Sequence, residues 1–151
     1  MYNAVLLTNL KITERHNHSL TTSYVQAGRD ATVAWGSLDF KFENNRNFPI
    51  KIEATAREGV VNVSIYGVKE DDDYTVLIDS KVINITEKKT EYKQDNTLEE
   101  GTEVVERKGS DGVTSETYKT LLKNGVIISK EIISKDTYSP LSQIIRRNKK
   151  Q

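Results

Sequence analysis

Cysteine is absent from this chain of 151 residues, and proline occurs only twice. Without cysteine the chain has no disulfide, no zinc–thiolate site and no cysteine nucleophile of its own. Long apolar runs are also missing, and none approaches the roughly 20 residues that a membrane-spanning helix needs. The 22 basic side chains are balanced by 22 acidic ones. This balance argues against a nucleic-acid-binding protein, which normally carries a basic excess.

Hydrophobic residues are scarce at 36%, and adding the 8 glycines gives only about 41%, below the roughly 45–50% of a compact globule. This composition predicts a thin or elongated body with much solvated surface. Residues 71–151 contain 29 charged side chains and residues 1–70 only 15. We therefore expect two units joined near the acidic run Glu70-Asp71-Asp72-Asp73. That run lacks the ligand spacing of a calcium loop and is predicted to be a solvated linker.

The N-terminal unit, residues 1–70, is predicted to be a helix packed on a β-meander. Leu6, Leu7 and Leu10 lie at helical spacing. Since this helix has neither an N-cap nor a secretory signal before it, we expect an earlier part of the domain upstream. Apolar and polar residues then alternate over 38–43, 50–56 and 61–66, which is typical of strands with one buried face.

The second unit is predicted to be almost entirely extended. Glycine-containing turns at 110–112 and 123–125 have the chemistry of tight hairpins. Long, polar, β-branched strands with few large apolar residues suit a narrow single-layer sheet. The division that we expect is 1–70, 71–148 and a basic tail at 149–151, with the basic run from Arg146 onward frayed.

The first unit resembles the C-terminal half of the VanW-like family, over residues 2–67. The resemblance is carried by Tyr2-Asn3-Ala4-Val5-Leu6-Leu7, Arg15-His16-Asn17-His18-Ser19 and Gly28-Arg29-Asp30-Ala31-Thr32. One departure is Thr22, where that family usually has proline. The resemblance implies a Gly-rich Cys-Gln segment just before the helix.

The second unit resembles a G5 domain over residues 71–148. Its glycines Gly101, Gly109, Gly112 and Gly125 take the expected places, and Asn148 replaces the closing glycine. Asparagine is the next-best residue at positive φ, so we expect Asn148 to adopt that conformation. The resemblance implies an elongated fold of two flat three-stranded sheets joined by a slender central region.

Together the two resemblances imply an extracellular or cell-envelope protein of Gram-positive bacteria, related to antibiotic resistance by the family name, with any signal or anchor upstream. G5 domains are proposed to bind glycans that contain N-acetylglucosamine. The leading expectation is therefore a mainly β, non-catalytic fragment that contacts peptidoglycan or such a glycan. A purely structural spacer is the third alternative, after the enzyme described below. No nucleic acid is expected as a partner, and the sequence leaves the oligomeric state open.

His16 and His18 are the two histidines of the chain, and they are two residues apart. On a strand both would project to one face and could meet one metal ion, with Asp30 or Asp39 as the nearest candidates for a third ligand. The alternative, which we favour, is that they bond to the backbone in a polar turn. No cofactor is expected, and zinc at these histidines is the weaker alternative. Zinc-linked association, known for some G5 repeats, is not expected because the G5 half lacks histidine.

Arg15, Arg29 and Asp30 are further candidates for ligand binding in the first unit. Arg29 and Asp30 either orient a ligand or a histidine, or form a structural network that holds a loop against the helix. In the full protein, a cysteine in the implied upstream segment would precede His16, His18 and Asp30. That order is typical of cysteine hydrolases and transpeptidases. The alternative function is thus an envelope enzyme whose nucleophile lies outside this chain, since the chain itself holds no complete catalytic set.

Three tyrosines of the second unit are candidates for stacking on sugar rings: Tyr92, Tyr118 and Tyr138. Sugars present C–H faces that pack on aromatic rings. In so thin a sheet, however, the same rings are equally expected to supply apolar cover.

Overall fold

A computed structural model describes residues 1–69 and 74–149 of the chain. The predicted linker at 70–73, together with Lys150 and Gln151, lies outside the described residues. The fold is mainly β, as the sequence predicted, with one short helix and ten strands in the described part. No helix in that part is long and apolar enough to cross a bilayer.

The N-terminal segment contains helix α1 and two separate antiparallel strand pairs. Helix α1 spans Tyr2–Leu6. Strand β1, Lys11–Glu14, pairs with β2, Lys41–Glu43. Strand β3, Lys51–Arg57, pairs with β4, Val60–Tyr66. The strands thus differ from the predicted continuous meander, because β2 returns to β1 and leaves β3 and β4 as a hairpin of their own.

Helix α1 is shorter than the leucine spacing predicts, because Thr8 redirects the chain. The Thr8 hydroxyl donates to the carbonyl of Val5 at 2.7 Å and accepts from the amide of Leu10 at 3.2 Å. Such side-chain bonds compete with the helical backbone pattern. Tyr2, Val5 and Leu6 are nevertheless buried, as is Leu10 beyond the helix.

The first sheet of the second unit has three long antiparallel strands in the order β5-β8-β9. Strand β5 spans Thr75–Thr86, β8 spans Gly112–Lys123 and β9 spans Val126–Tyr138. Asn124 and Gly125 join β8 to β9 with φ of 53° and 78°. Two successive positive φ values are those of a tight hairpin turn, so the turn predicted here is confirmed.

The second sheet is shorter and has the order β6-β10-β7. Strand β6 spans Thr90–Gln94, β7 spans Glu103–Arg107 and β10 spans Gln143–Arg147. Central strand β10 runs parallel to β6 and antiparallel to β7. The two three-stranded sheets that the G5 resemblance implied are therefore present.

The two sheets are joined at a narrow crossing that requires glycine. Ser110 and Leu141 exchange two backbone hydrogen bonds there, of 2.9 and 2.8 Å. A Cβ on Gly109, whose φ is +67°, would lie 2.6 Å from the amide nitrogen of Gln143, and a Cβ on Gly112 would lie 2.8 Å from the nitrogen of Pro140. The hairpin predicted at 110–112 is wrong, because the chain passes here from β7 in one sheet to β8 in the other.

The basic run at the C-terminal end is ordered as far as it is described. Arg146 and Arg147 end strand β10, and the guanidinium of Arg146 lies 2.7 Å from the carboxylate of Asp95. Asn148 donates through its side chain to the carbonyl of Leu98 at 2.7 Å. Its φ is not positive, because Glu58 and Asn124 are the non-glycine residues with positive φ in the described ranges. Asn148 therefore closes the loop before β7 through hydrogen bonds rather than through its backbone conformation.

Candidate functional site

The N-terminal segment folds over one face of the first sheet. Ser80, Thr117 and Ser134 are paired across β5, β8 and β9, so their side chains share one face. Ser115, Asp136 and Tyr138 project from the same face, because they alternate with outward residues along β8 and β9. The side chains of this face are polar, and most of them are small. The loop that contains residues 15–30 covers it.

Gly28 makes the closest approach to this face. The Thr117 hydroxyl donates to the carbonyl of Gly28 at 3.2 Å. Since the Thr117 proton is engaged there, the hydroxyl of Ser80, 2.9 Å away, donates to Thr117. Gly28 has φ +88°, and a Cβ on it would lie 2.3 Å from the Thr117 oxygen. The loop can therefore reach the sheet only with glycine at this position.

Asp30 is the centre of a buried polar cluster beside Gly28. Its side chain is 1% exposed. One carboxylate oxygen accepts from the hydroxyl of Tyr138 and, at 3.3 Å, from Nη2 of Arg15. The other accepts from both the backbone amide and Nδ1 of His18, each at 2.7 Å. Both carboxylate oxygens of Asp30 thus accept hydrogen bonds. One of the donors, the Tyr138 hydroxyl, belongs to the second unit.

Arg15 and Tyr138 extend the cluster into strand β9. The Arg15 guanidinium donates to the backbone carbonyl of Asp30 at 2.7 Å and to the carboxylate of Asp136. The Tyr138 hydroxyl, while donating to Asp30, accepts from the amide of Gly28 at 2.7 Å. The two carboxylates and the intervening guanidinium are nearly inaccessible to water. Such paired and hydrogen-bonded charges are the form in which burial is tolerated.

The pKa values of Asp30 and Tyr138 reflect this arrangement. Burial raises the pKa of Asp30, but the hydrogen bonds from Tyr138 and His18 and the charge of Arg15 outweigh it and hold the pKa below its usual value. Burial, followed by the hydrogen bond to Asp30, raises the pKa of the Tyr138 hydroxyl well above its usual value. The site therefore holds an ionised Asp30 and a neutral Tyr138.

His18 is the member of the cluster that reaches solvent. Its side chain is 34% exposed, and the Tyr24 ring lies edge-on to it at 6.3 Å between centroids. With Nδ1 oriented toward Asp30, Nε2 is the nitrogen left for another partner. Within residues 1–69 and 74–149, Nε2 of His18 makes no hydrogen bond. A carboxylate that orients one imidazole nitrogen while the other faces solvent is the arrangement of a general base.

His16 and His18 do not share a binding partner. Strand β1 ends at Glu14, so neither histidine lies on a strand. Nε2 of His16 is 3.4 Å from a Glu14 oxygen, whereas His18 contacts Asp30. Within the described ranges there is no group of three or more histidine or acidic side chains that could hold a metal ion. The described residues therefore do not gather His16 and His18 with Asp30 or Asp39 into one ligand set, which was the weaker of the two alternatives for these histidines.

Arg29 has the structural role that the sequence left as one alternative. Its Nε donates to Oδ1 of Asn3 at 2.9 Å, and the Asn3 amide donates to the Arg29 carbonyl at 2.9 Å. This reciprocal pair holds the loop against helix α1. Arg29 and Asp30 thus have different contacts. Arg29 holds the loop to helix α1, whereas Asp30 accepts hydrogen bonds from Tyr138 of strand β9 and from His18.

The three candidate tyrosines lie in different environments. Tyr138 is 1% exposed; the prediction that it stacks on sugar is wrong, because neither face of its ring is open. The Tyr118 hydroxyl donates to Glu116 at 2.7 Å, and the ammonium groups of Lys81 and Lys130 approach its ring. Tyr92 is 51% exposed, with the Arg147 guanidinium 4.0 Å from its ring centroid.

Asp136 and Trp35 are two residues that the sequence analysis did not select. Asp136 is paired with Arg15 across 121 residues of chain, and nothing in the local sequence indicates so distant a partner. Trp35 is fully exposed at the tip of a turn. It directly precedes Gly36 and Ser37, and this turn chemistry is the sequence signal that places residue 35 on a surface loop.

Comparison with known proteins identifies both units. Residues 1–66 match the family described as VanW like protein, and residues 78–150 match the G5 domain. The curated "Uncharacterized protein YoaR" of Bacillus subtilis (strain 168) is 42% identical over 66 residues, which are 44% of this chain and 22% of that protein. The match thus covers about a fifth of the length of that relative.

Two solved structures align with the chain. "IgA1 Protease G5 domain structure" is 24% identical with a TM-score of 0.33, over 54% of this chain and 98% of that one. "Crystal structure of HP0197-G5" is 16% identical with a TM-score of 0.29, over 51% of this chain and all of that one.

VanW-like and G5 domains are typical of cell-envelope proteins, and G5 domains are associated with glycan binding. The two matches therefore support a cell-wall-associated binding role. In chain order, a segment similar to VanW-like proteins is thus followed by a segment similar to the G5 domain.

Proposed function

We propose that the chain is a non-catalytic, extracellular binding module of the Gram-positive cell envelope, and that it contacts peptidoglycan or another N-acetylglucosamine-containing glycan through its second sheet. The proposal rests on one row of side chains across that sheet. Tyr92, Ile145 and Val105 are direct partners across β6, β10 and β7 and share a face. Tyr92 and Val105 are both about half exposed. The row is called the Tyr92 row below.

Polar groups lie directly beside the Tyr92 row. Arg147 follows Ile145 by two residues, so it projects from the same face, and it is paired with Gln94 on β6 and Glu103 on β7. An aromatic ring next to hydrogen-bonding side chains suits a sugar, which presents C–H groups on its ring face and hydroxyls at its rim. These features support glycan as the ligand of this face.

Retention of the chain on insoluble peptidoglycan tests this function. We expect wild-type protein to be retained above a bare support, and Tyr92→Ala to lose most of that retention. The matched control is Tyr66→Ala, because Tyr66 is equally exposed, at 53%, but lies on β4 of the other unit. Failure of wild-type protein to be retained contradicts the proposal, and equal loss in both variants contradicts the assignment to the second sheet.

A second candidate function is favoured by the Asp30–His18 pair. The 2.7 Å contact from His18 Nδ1 to a buried carboxylate is the geometry of a general base. Because the chain has no cysteine, a thiol nucleophile would come from another part of a longer protein. In this alternative, the envelope protein is a cysteine hydrolase or transpeptidase, with His18 as base and Asp30 as the group that orients it.

Thiol labelling of a longer protein that contains this chain tests the enzyme candidate. With iodoacetamide near pH 6, we expect His18→Ala to slow the labelling of one cysteine strongly, because the histidine no longer stabilises the thiolate. His16→Ala is the control and is expected to label at the wild-type rate. The absence of any fast-reacting cysteine, or equal rates in all three proteins, rules this candidate out.

A further inference from the structure

We propose that Trp35, together with the charged side chains beside it, forms a second glycan contact in the VanW-like segment that binds a neutral pyranose ring. The proposal takes only the class of ligand from the proposed function, and it concerns a different unit of the chain. Trp35 is fully exposed, and it is the single tryptophan of the sequence. An indole in water forgoes the burial of roughly 150–250 Å² of surface that aromatic side chains usually achieve. Its exposure therefore does not serve the stability of the fold.

The turn that carries Trp35 is closed on itself by hydrogen bonds. The amide of Ala34 donates to the carbonyl of Leu38 at 2.9 Å, and the amide of Leu38 donates back to the carbonyl of Ala34 at 3.0 Å. A further bond of 3.0 Å joins the Ser37 amide to the Ala34 carbonyl. Gly36 supplies the positive φ, +76°, that this turn needs. The indole is thus held on a defined turn, and a ligand that binds it does not have to order the loop first.

The surroundings of the indole are concave and combine apolar with charged side chains. Trp35 lines an open concavity of about 580 Å³ together with Glu14, Asp39 and Lys41. The Lys41 ammonium bridges the two carboxylates, at 2.7 Å from Glu14 and 3.9 Å from Asp39. All three charged groups remain partly exposed, so their outer hydrogen-bonding positions stay available to hydroxyl groups.

This combination favours a sugar over other occupants. A pyranose ring offers a C–H face to an indole and hydroxyls to carboxylates and an ammonium group. An apolar protein partner would leave Glu14 and Asp39 buried against it, at a desolvation cost. A bacterial membrane surface is anionic, and the two carboxylates outnumber the one lysine beside the ring. Because the same excess of carboxylates disfavours anionic sugars, the ring that fits is a neutral one.

Fluorescence of the whole chain, excited at a wavelength that tyrosine does not absorb, tests this site directly, because Trp35 is the single tryptophan. We expect titration with the neutral hexamer of N-acetylglucosamine to shift the emission to shorter wavelength and to saturate. In a Tyr92→Ala background, which removes the other proposed contact, Trp35→Ala should weaken the affinity for the hexamer, measured by calorimetry, by roughly tenfold, whereas Trp35→Phe should retain part of it. Val33→Ala, at an exposed position of the same loop, is the control and should bind like wild type.

The outcomes separate this site from the Tyr92 row. If Tyr92→Ala loses retention on peptidoglycan but keeps the Trp35 shift, the two contacts are independent and the inference stands. If wild-type protein is retained on peptidoglycan but saturating hexamer leaves the emission unchanged, the inference fails and the proposed function survives. A shift with phosphatidylglycerol vesicles but not with hexamer overturns it in favour of a membrane contact. A free chain that already emits as a buried indole, with a shift on dilution, overturns it in favour of a second copy.

Discussion

The two sheets of the G5 domain are built from the same kind of polar, β-branched strand, yet they differ in what lies against them. One face of the first sheet buries Ser115, Thr117, Asp136 and Tyr138 beneath the VanW-like loop. In the second sheet every residue of β6 and β7 is exposed. Strand composition alone therefore does not decide which sheet is packed. The first sheet is packed because small and hydrogen-bonding side chains on one face match a loop that contains Gly28 and Asp30.

This difference predicts that side chains on the covered face of the first sheet contribute more to the stability of the fold than side chains on the exposed second sheet. Buried polar groups are strongly interdependent, because each lost partner leaves another group unsatisfied. Exposed residues can change with little effect on folding. Substitutions on the covered face should thus cost much more free energy of unfolding than equivalent substitutions on the open one.

Gly28→Ala is expected to have the largest effect. The new Cβ would lie 2.3 Å from Thr117 Oγ1 at a φ of +88°, so strain and displacement of the loop add together. We expect the free energy of unfolding, from urea titration followed by circular dichroism, to fall by about 3 kcal/mol. Gly36→Ala is the control, because its φ of +76° is similar but nothing lies within 4 Å; it should cost about 1 kcal/mol. Equal losses would show that the loop does not press on the sheet.

Asp30→Asn should come next, at about 2–3 kcal/mol by the same titration. In the asparagine side chain an NH2 group replaces one of the two carboxylate oxygens, and it cannot accept a hydrogen bond from Arg15, His18 or Tyr138. Buried donors therefore lose their charged partner. The control is Asp79→Asn on the same sheet, whose carboxylate is largely exposed beside Lys81; exposed pairs contribute about 0–1 kcal/mol. A cost no larger than that of the control would remove Asp30 from the centre of the covered face.

Acid should reduce the difference between wild type and Asp30→Asn. The pKa of Asp30 is lower in the folded chain than its ordinary value of 3.8, so its contribution to stability is complete above that ordinary value. It is lost as the pH falls toward and through the lower folded value. Unfolding free energies measured from pH 7 downward should converge for the two proteins below about pH 4. A constant difference over this range would contradict the lowered pKa.

Tyr138→Phe should cost about 1–2 kcal/mol, since Asp30 loses a donor and the Gly28 amide loses an acceptor, both of them buried. Tyr118→Phe is the matched control on the same sheet. Its hydroxyl bonds to Glu116 at a more accessible position, and we expect a loss of about 0.5 kcal/mol or less. Thermal unfolding of the three proteins measures both values, and a reversed order would place the buried hydroxyl outside the stabilising network.

Tyr92→Ala should have the smallest effect on stability, although it is the change expected to remove most of the retention on peptidoglycan. The contact with Arg147 on an exposed ring is worth roughly 0.5–1 kcal/mol. A shift in the urea midpoint as large as that of Tyr138→Phe would show that the open sheet depends on this ring for its own packing. The contrast between binding and folding would then disappear.

Local chemistry was enough to predict features that depend on neighbouring residues. Asn124 and Gly125 predict their hairpin because the turn needs two residues that tolerate positive φ, and the glycine pattern predicts the two-sheet plan through its resemblance to the G5 domain. At 110–112 the same turn chemistry misled, because Gly112 is required for its close approach to Pro140 and not for a hairpin. The sequence cannot distinguish these two uses of glycine without knowing what lies opposite.

The candidate site was predictable only in part. Asp30 and His18 are 12 residues apart, and their pairing was one of the alternatives that the sequence offered. The contact of Asp30 with Tyr138 spans 108 residues and depends on how two units meet. For this reason the sequence left open whether the Tyr138 ring stacks on a ligand or packs within the fold, and the contact between the units decides it, because Tyr138 is 1% exposed.

The VanW-like loop also occupies backbone groups along β9, an edge strand. The Ser139 amide, just beyond β9, donates to the carbonyl of Ser19 at 2.7 Å, and the Asn17 side chain donates to the carbonyl of Thr137 at 3.0 Å. Edge strands with free backbone groups recruit strands from other molecules and promote aggregation. A G5 domain separated from this loop would expose that end of the strand together with its polar face. The N-terminal segment thus occupies backbone groups through which the isolated sheet would pair with strands of other molecules.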